Sequence, residues 1–202
     1  TEACAAFEAG GGKLPRGLMD EVRRGVGRIE RESGRKFGGT KEPLLVSVRS
    51  GAPVSMPGMM DTLLNIGLCD ATVHGLIRLT GNPRLVWDAY RRLVATYGEV
   101  VRGLPAEPFE DATTSLTGGR DERDLDFAEL RALTRRHQQL VQTLSGQPFP
   151  QDPARQLSDA IAAVLASWQS DKAVAYRQAN QLPDDLGTAV TVQAMVFGNA
   201  GG

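Results

Sequence analysis

One arginine of this sequence stands where a phosphate group could bind. The segment "VSVRSGAPVSMPGMMDT", residues 46–62, leads an apolar run into Arg49 and then into a loop rich in glycine, proline and methionine. The planar guanidinium suits phosphate oxygens, and nearby glycines let a polyphosphate approach the backbone closely. The residue types leave a second interpretation open, because an arginine at a strand end more often pairs with a surface carboxylate, and methionines more often fill a core.

Other candidate chemistries have weaker support. The segment "GGGKL" lacks the pattern of a phosphate-binding P-loop, since Phe7 stands where the first glycine belongs and Leu14 follows Lys13, so a turn between helices is expected there. The two histidines, His74 and His137, lie on predicted helices without cysteine or carboxylate partners at metal-ligand spacing. No G-x-S-x-G motif occurs, which disfavours a hydrolase.

The composition is that of a soluble globular protein. The chain has 202 residues, a net charge of -1, 41% hydrophobic and 23% charged residues, with acids and bases interspersed, so neither nucleic acid nor a membrane is an expected partner. The N-terminus does not resemble a signal peptide, and a cytoplasmic location is expected. Cys4 and Cys69 are predicted to be reduced thiols that serve packing.

The spacing of apolar residues in the first third predicts helices around one short strand. A helix begins near Pro15 and ends at Gly34, and "PLLVSV", residues 43–48, is typical of a buried strand with Arg49 at its C-terminal end. The segment "MMDTLLNIG", residues 59–67, is predicted to be a short helix, and Asp70 is predicted to cap the next helix.

The rest of the chain is predicted to be helical until its last strand. The strongest apolar stripe runs from Pro83 to Leu104, and another, from Phe127 to Leu144, follows the polar stretch "TTSLTGGRDERD", which is a candidate mobile loop. Asp152 and Asp171 are predicted N-caps of two further helices, the second ending at Asn180. In "GTAVTVQAMVFGN" apolar residues alternate with Thr191, Gln193, Met195 and Phe197, which predicts a strand.

Several of these segments together resemble one enzyme family. They are "LLVSVRSGAPVSMPGMMDTLLNIGL", "GNPRLVWDAYRRLVATYGEVV", "GQPFPQDPARQL", "SWQSDKAVAYR" and "GTAVTVQAMVFGN", and they resemble pyruvate, phosphate dikinase over essentially the whole chain. The segment "SMPGMMDT" stands where the sister family, phosphoenolpyruvate synthase, has an "FAGQ"-type segment. The resemblance therefore distinguishes the two families.

The resemblance implies a predominantly helical α+β fold, part of an ATP-grasp domain in which two lobes clamp ATP. In that family ATP, phosphate and pyruvate become AMP, pyrophosphate and phosphoenolpyruvate, through a phosphohistidine on a separate swivelling domain. The implied organisation is a first lobe segment over 1–69, an inserted helical subdomain over 70–150 and a second lobe segment over 151–202. Six residues are implied to bind ATP: Arg49 at the phosphates, Met60, Asp61 and Thr62 along the cleft, and Gln193 and Met195 at the adenine hinge.

The chain also departs from the family pattern. Relative to the family it starts after the "GGKG"-type segment with its ATP-binding lysine and stops before the carboxylates that hold Mg²⁺, so no catalytic residue is expected here and the piece alone should be inactive. The implied partners are ATP, the phosphohistidine and pyruvate-binding domains, and further copies of the parent enzyme.

Two other interpretations remain. One is a non-catalytic helical interaction module derived from the same domain, which would present Trp87, Tyr90 and Tyr97 to a partner. The other is an independent small kinase, which the missing metal carboxylates disfavour.

Overall fold

A computed structural model describes residues 2–52, 54, 56, 58 and 60–196. Within these residues the α-helices are α1 Glu2–Ala9, α2 Leu18–Ser33, α3 Val73–Thr80, α4 Pro83–Arg102, α5 Glu107–Thr117, α6 Phe127–Ser145, α7 Pro153–Ala166 and α8 Asp171–Ala179. Short 3-10 helices cover Glu122–Asp124, Ser167–Gln169 and Asp184–Leu186. The strands are β1 Lys36–Phe37, β2 Pro43–Leu44, β3 Val46–Gly51, β4 Thr62–Ile66 and β5 Ala189–Ala194. The predicted α+β, mostly helical class is thus confirmed.

A three-stranded antiparallel sheet has β3 at its centre, with β4 on one side and β5 on the other. One face of this sheet is apolar, because Val46 and Val48 of β3 and Leu63 of β4 are completely buried. Helix α7 packs against all three strands, and α4 packs against β4. The strands predicted around residue 46 and around residue 193 are therefore confirmed, and they pair directly with each other.

The helical block between the two strand segments is built on α4 and α6, which pack along each other. The predicted break before α4 is confirmed: the Asn82 side chain accepts a hydrogen bond from the Leu85 N–H at 3.0 Å, and Pro83 occupies the first turn. The aromatic residues of α4 point inward, with Trp87, Tyr90 and Tyr97 all at most 3% exposed. They are core residues and offer no partner surface.

A hydrogen-bond network joins the helical block to the rest of the chain. Tyr90 donates to Asp70 Oδ1 at 2.9 Å and accepts from Gln138 Nε2 at 2.8 Å. Arg135 donates to Asp70 Oδ2 at 2.6 Å, and the Asp70 N–H donates to Gln151 Oε1 at 2.9 Å. The prediction that Asp70 caps α3 is wrong, because Thr72 stands at the N-cap position and the Asp70 carboxylate is held by Tyr90 and Arg135.

The segment predicted to be a short helix, residues 59–67, contains β4 instead. Leu63 is completely buried while Leu64 is 47% exposed, the alternation of a strand that pairs with β3 along one edge. Pairing with β3 and burial under α4 and α7 override the helical preference of methionine and leucine.

Three further expectations need correction. The first part of the polar stretch 113–124 belongs to α5, which ends at Thr117. The predicted apolar stripe of α6 is too long, because Phe127 and Leu144 at its two ends are 53% and 44% exposed. The N-cap of α8 is Ser170, whose hydroxyl accepts from a backbone N–H of the first turn, and Asp171 is the first helical residue.

Other expectations are confirmed. Glycines 10–12 lie between α1 and α2, as expected for a turn between helices, and Asp152 caps α7 by accepting from the Ala154 N–H at 3.0 Å. Cys4 and Cys69 are buried free thiols. In the described part of the chain, no helix combines the length and apolar character needed to cross a membrane.

Candidate functional site

The face of the sheet opposite the core carries polar residues from all three strands. Arg49 in β3 lies directly opposite Thr62 of β4 on one side and Thr191 of β5 on the other, and Ser47 lies opposite Gln193. Directly opposed residues in a sheet point to the same face. We call this set, Ser47, Arg49, Thr62, Thr191 and Gln193, the polar sheet face; all of its members except Ser47 are exposed.

The Arg49 side chain is exposed and has no bonding partner among the described residues. Its neighbours Val46 and Val48 turn into the core, which leaves the guanidinium on the solvent side. Among the described residues it forms neither a hydrogen bond nor an ion pair with any other side chain or backbone group. All five N–H donors of the guanidinium are therefore available, which an arginine paired with a carboxylate would not offer.

Two of the predicted ATP-binding residues lie on the other side of β4. Asp61 precedes Thr62 and is half-buried, lining a cavity with Arg102 of α4 and Asp159 of α7. Burial raises the pKa of the Asp61 carboxyl, and the nearby Lys172 partly opposes this shift. Met60 packs against the core, with its Sδ 4.0 Å from Ser167 Oγ. The structure thus brings Arg49, Thr62 and Gln193 together but places Met60 and Asp61 against the helices.

The predicted adenine hinge, Gln193 and Met195, lies beside the first residues of the central strand β3. Gln193 is exposed on the polar sheet face, and the Met195 N–H donates to the Leu45 carbonyl at 2.8 Å, so pairing continues past the end of β5. The Met195 side chain is half-buried against the core. Phe197, the last member of the predicted alternation, lies outside the described residues.

Sequence reasoning missed Thr191. Its hydroxyl-bearing side chain lies directly opposite Arg49 and is exposed. The signal was present in the two-residue alternation of the last strand, since Thr191 has the same parity as Gln193 and must share its face.

The two histidines differ in burial and in their surroundings. His74 is exposed on α3, whereas His137 of α6 is buried, with its ring edge-to-face against Phe109 at 5.3 Å and its Nδ1 3.4 Å from the Arg91 carbonyl oxygen. Burial lowers the pKa of His137. Among the residues the structure describes, no three or more histidine, cysteine or acidic side chains come together as a metal cluster.

The fold is that of an α+β domain in which a small sheet exposes an arginine, two threonines and a glutamine on one face. The family model for the pyruvate phosphate dikinase AMP/ATP-binding domain matches residues 11–202. The chain belongs to this family.

Relatives with the same name are similar over the whole chain. Pyruvate, phosphate dikinase of Rhizobium meliloti is 46% identical over 204 residues, and that of Clostridium symbiosum is 43% identical over 205 residues. Pyruvate, phosphate dikinase 1, chloroplastic, of Arabidopsis thaliana is 44% identical over 204 residues. Each alignment covers 100% of this chain but only 23%, 24% and 21%, respectively, of these relatives, so the chain spans less than a quarter of their length.

Proposed function

We propose that this chain is the part of a pyruvate, phosphate dikinase that binds the phosphates of ATP, with Arg49 as the main phosphate ligand. The observation that carries the proposal is the Arg49 guanidinium, exposed on the polar sheet face and unpaired among the described residues, in a domain that belongs to an AMP/ATP-binding family. The parent enzyme would convert ATP, phosphate and pyruvate into AMP, pyrophosphate and phosphoenolpyruvate through a phosphohistidine on another domain.

The polar sheet face suits the phosphate end of a nucleotide. The Arg49 guanidinium can bind two phosphate oxygens at once, and the flanking hydroxyls of Thr62 and Thr191 can each donate one further hydrogen bond. Phosphoryl transfer depends mainly on such positioning and on the stabilisation of charge. In this proposal Gln193 and Met195 contribute to the adenine hinge, while Met60 and Asp61 border the cleft where the chain enters β4.

The metal would need other ligands. Asp61 is a single half-buried carboxylate turned toward the helices, and the described residues hold no cluster that fits Mg²⁺. Mg²⁺ bound to the nucleotide would stabilise the charge that develops on the phosphates, with protein ligands from parts of the parent enzyme outside this chain.

The pairing of distant segments supports the domain organisation that we propose. Residues 1–69 and 151–202 would form one lobe of an ATP-grasp domain, supported by the direct pairing of β3 with β5. Residues 70–150 would be the inserted helical subdomain, which begins and ends at the network around Asp70 and Gln151. The phosphohistidine and pyruvate-binding domains as partners, a homo-oligomeric parent and a cytoplasmic location belong to the same proposal.

The test uses the full-length protein that carries this chain. Arg49→Ala should reduce ATP-dependent phosphorylation of the enzyme's histidine by about 100-fold, because two charge-assisted hydrogen bonds are lost. Phosphorylation of Arg49→Lys should lie between that of the wild type and that of Arg49→Ala, because lysine keeps the charge but lacks the planar guanidinium. The amount of acid-labile phosphohistidine after a timed incubation with Mg²⁺ and ATP measures the effect.

The matched control is Arg136→Ala, which removes another exposed arginine, from α6 outside the sheet, and should leave phosphorylation unchanged. Circular dichroism should show the same fold for all variants. Wild-type phosphorylation in Arg49→Ala would remove Arg49 from the mechanism.

A further inference from the structure

Strand β4 pairs with β3 in two registers that differ by one residue. At one end Val46 lies opposite Ile66, and at the other end Arg49 lies opposite Thr62. An irregularity between Val46 and Val48 joins the two registers. It is a β-bulge, in which two residues of β4 face a single residue of β3.

The bulge decides which side chain of β4 lies beside Arg49. If the register set by Val46 and Ile66 continued unbroken, Leu63 would lie opposite Arg49 on the polar sheet face, and Thr62 would turn toward the core. With the bulge, Leu63 is completely buried and Thr62 is exposed beside Arg49. The extra residue therefore places Leu63 on the core face and Thr62 on the polar sheet face.

Asn65 is one of the two β4 residues that lie opposite Ser47 in the bulge, and its backbone is in the left-handed region. Its φ is 62°, and Gln181 is the only other non-glycine residue in the described part of the chain with a positive φ. Asparagine adopts this left-handed conformation more readily than most residues, and β-branched residues adopt it least readily. The Asn65 side chain is 8% exposed and its Oδ1 has no hydrogen-bond donor, so side-chain bonding does not account for an asparagine here.

We propose that Asn65 is a positioning residue of the phosphate site. Its left-handed conformation makes the bulge that sets Thr62 beside Arg49. The consequence for phosphate binding rests on the proposed function, but the effect on the strand register does not.

The test compares Asn65→Gly with Asn65→Val by NMR on the chain. Asn65→Gly should retain the cross-strand NOEs between Arg49 and Thr62, because glycine adopts a positive φ freely. Asn65→Val should lose them and gain NOEs between Arg49 and Leu63, because valine disfavours the bulge. Wild-type NOE intensities in Asn65→Val, or their loss in Asn65→Gly, would overturn the proposal.

A rescue variant keeps the test decisive if Asn65→Val fails to fold. Deleting Leu64 in the Asn65→Val background removes the extra residue, so Ile66 stays opposite Val46 and Thr62 stays opposite Arg49 in one unbroken ladder. The valine then has ordinary strand geometry, and the NOEs between Arg49 and Thr62 should return. Their absence in this double variant would contradict the proposal.

The matched control is Gln181→Val, which places the same residue at the other positive φ, outside the sheet. It should retain the NOEs between Arg49 and Thr62; their loss would show that general destabilisation accounts for the result and would count against Asn65.

Nucleotide binding by the full-length protein separates this inference from the proposed function. Asn65→Val should raise the Kd for MgATP about 10-fold, and Asn65→Gly should leave it unchanged. Unchanged histidine phosphorylation in Arg49→Ala, together with the expected NOE changes, would reject the proposed function and retain the role of Asn65 in the register.

Discussion

At the scale of single residues, Arg49 differs from the arginines that hold the fold together. Arg177 is 1% exposed, donates to Asp184 at 2.8 Å and to the Trp168 carbonyl at 2.5 Å, and stacks on the Trp168 ring at 4.2 Å. Arg91, also buried, donates to Asp88 at 2.8 Å. Those guanidinium groups are held by partners within the protein, whereas that of Arg49 is exposed and has no bonding partner among the described residues. This contrast supports a binding role for Arg49 over a structural one.

His137 makes the stability of the chain depend on pH. Burial and the nearby Arg91 lower its pKa in the folded state, while the backbone carbonyls of Arg91 and Phe109 and the Glu122 carboxylate oppose this shift. The unfolded chain therefore binds a proton at His137 at a higher pH than the folded chain does. His137 should therefore not reduce the free energy of unfolding above the unfolded-state pKa of about 6.5. As the pH drops below that value, the free energy of unfolding should fall by at most about 1.4 kcal/mol per pH unit.

Urea denaturation at pH 7.5 and at pH 5.5 measures this effect. His137→Leu should flatten the pH dependence, because it removes the titrating group and keeps an apolar side chain against Phe109. An equally steep fall in the variant would assign the dependence to other groups.

At the scale of elements, replacing glycine by alanine should have opposite effects on stability at two helical positions. A Cβ on Gly75 of α3 would overlap the backbone carbonyl of Thr40, whereas Gly25 of α2 has nothing within 4 Å of that position. Gly75→Ala should lower the free energy of unfolding by about 2–3 kcal/mol, because backbone must move. Gly25→Ala should raise it by about 0.5–1 kcal/mol, because a helix interior favours alanine. Equal effects in thermal denaturation would contradict this account of the contact between α3 and the 38–42 loop.

Helices with clear stop signals were predictable from the sequence, and elements defined by distant contacts were not. The start of α4 at Asn82 and Pro83 and that of α7 at Asp152 follow from local capping chemistry. Strand β4 depends on its pairing with β3, and its bulge depends on Asn65, so a window of neighbouring residues suggested a helix instead. Asp70 was assigned a local role, whereas its partners lie 20 and 65 residues away.

The candidate site was partly predictable for the same reason. Arg49 stands out in the sequence as an arginine at a strand end before a glycine-rich loop, whereas the role of Gln193 is implied only by the family resemblance. Strand alternation, which is a local signal, places Thr191 on the same face as Gln193, and the structure sets it opposite Arg49. The positions of Met60 and Asp61 relative to Arg49 depend on which way β4 enters the sheet, and no local pattern encodes that. Their ATP contacts stay predictions.

At the scale of the whole molecule, the network around Tyr90 ties the helical block to the segments near Asp70 and Gln151, where the chain enters and leaves it. Tyr90→Phe should lower the free energy of unfolding by about 1–3 kcal/mol, because Asp70 Oδ1 and the amides of Gln138 and Gln151 lose a buried partner. Amide hydrogen exchange should also speed up around residues 70 and 151, where the chain enters and leaves the block.

Tyr97→Phe is the comparison, since it also removes one buried hydroxyl from α4 but breaks a single bond, that to Asp159 at 2.6 Å. Its effect should be smaller, because Arg155 still holds Asp159 at 2.8 Å, and exchange near residues 70 and 151 should not change. If chemical denaturation showed equal losses in the free energy of unfolding for the two variants, the network would add nothing beyond a single buried hydrogen bond.

The pairing of β3 with β5 has a consequence for the order in which parts of the chain fold. Arg49 and Thr191 stand on the order of 140 residues apart in sequence, so joining these two strands closes a very long loop, while α4 and α6 assemble from much nearer segments. During synthesis the helical block can therefore settle while the ribosome still holds the last strand. The polar sheet face can form only after residue 194 has left the exit tunnel.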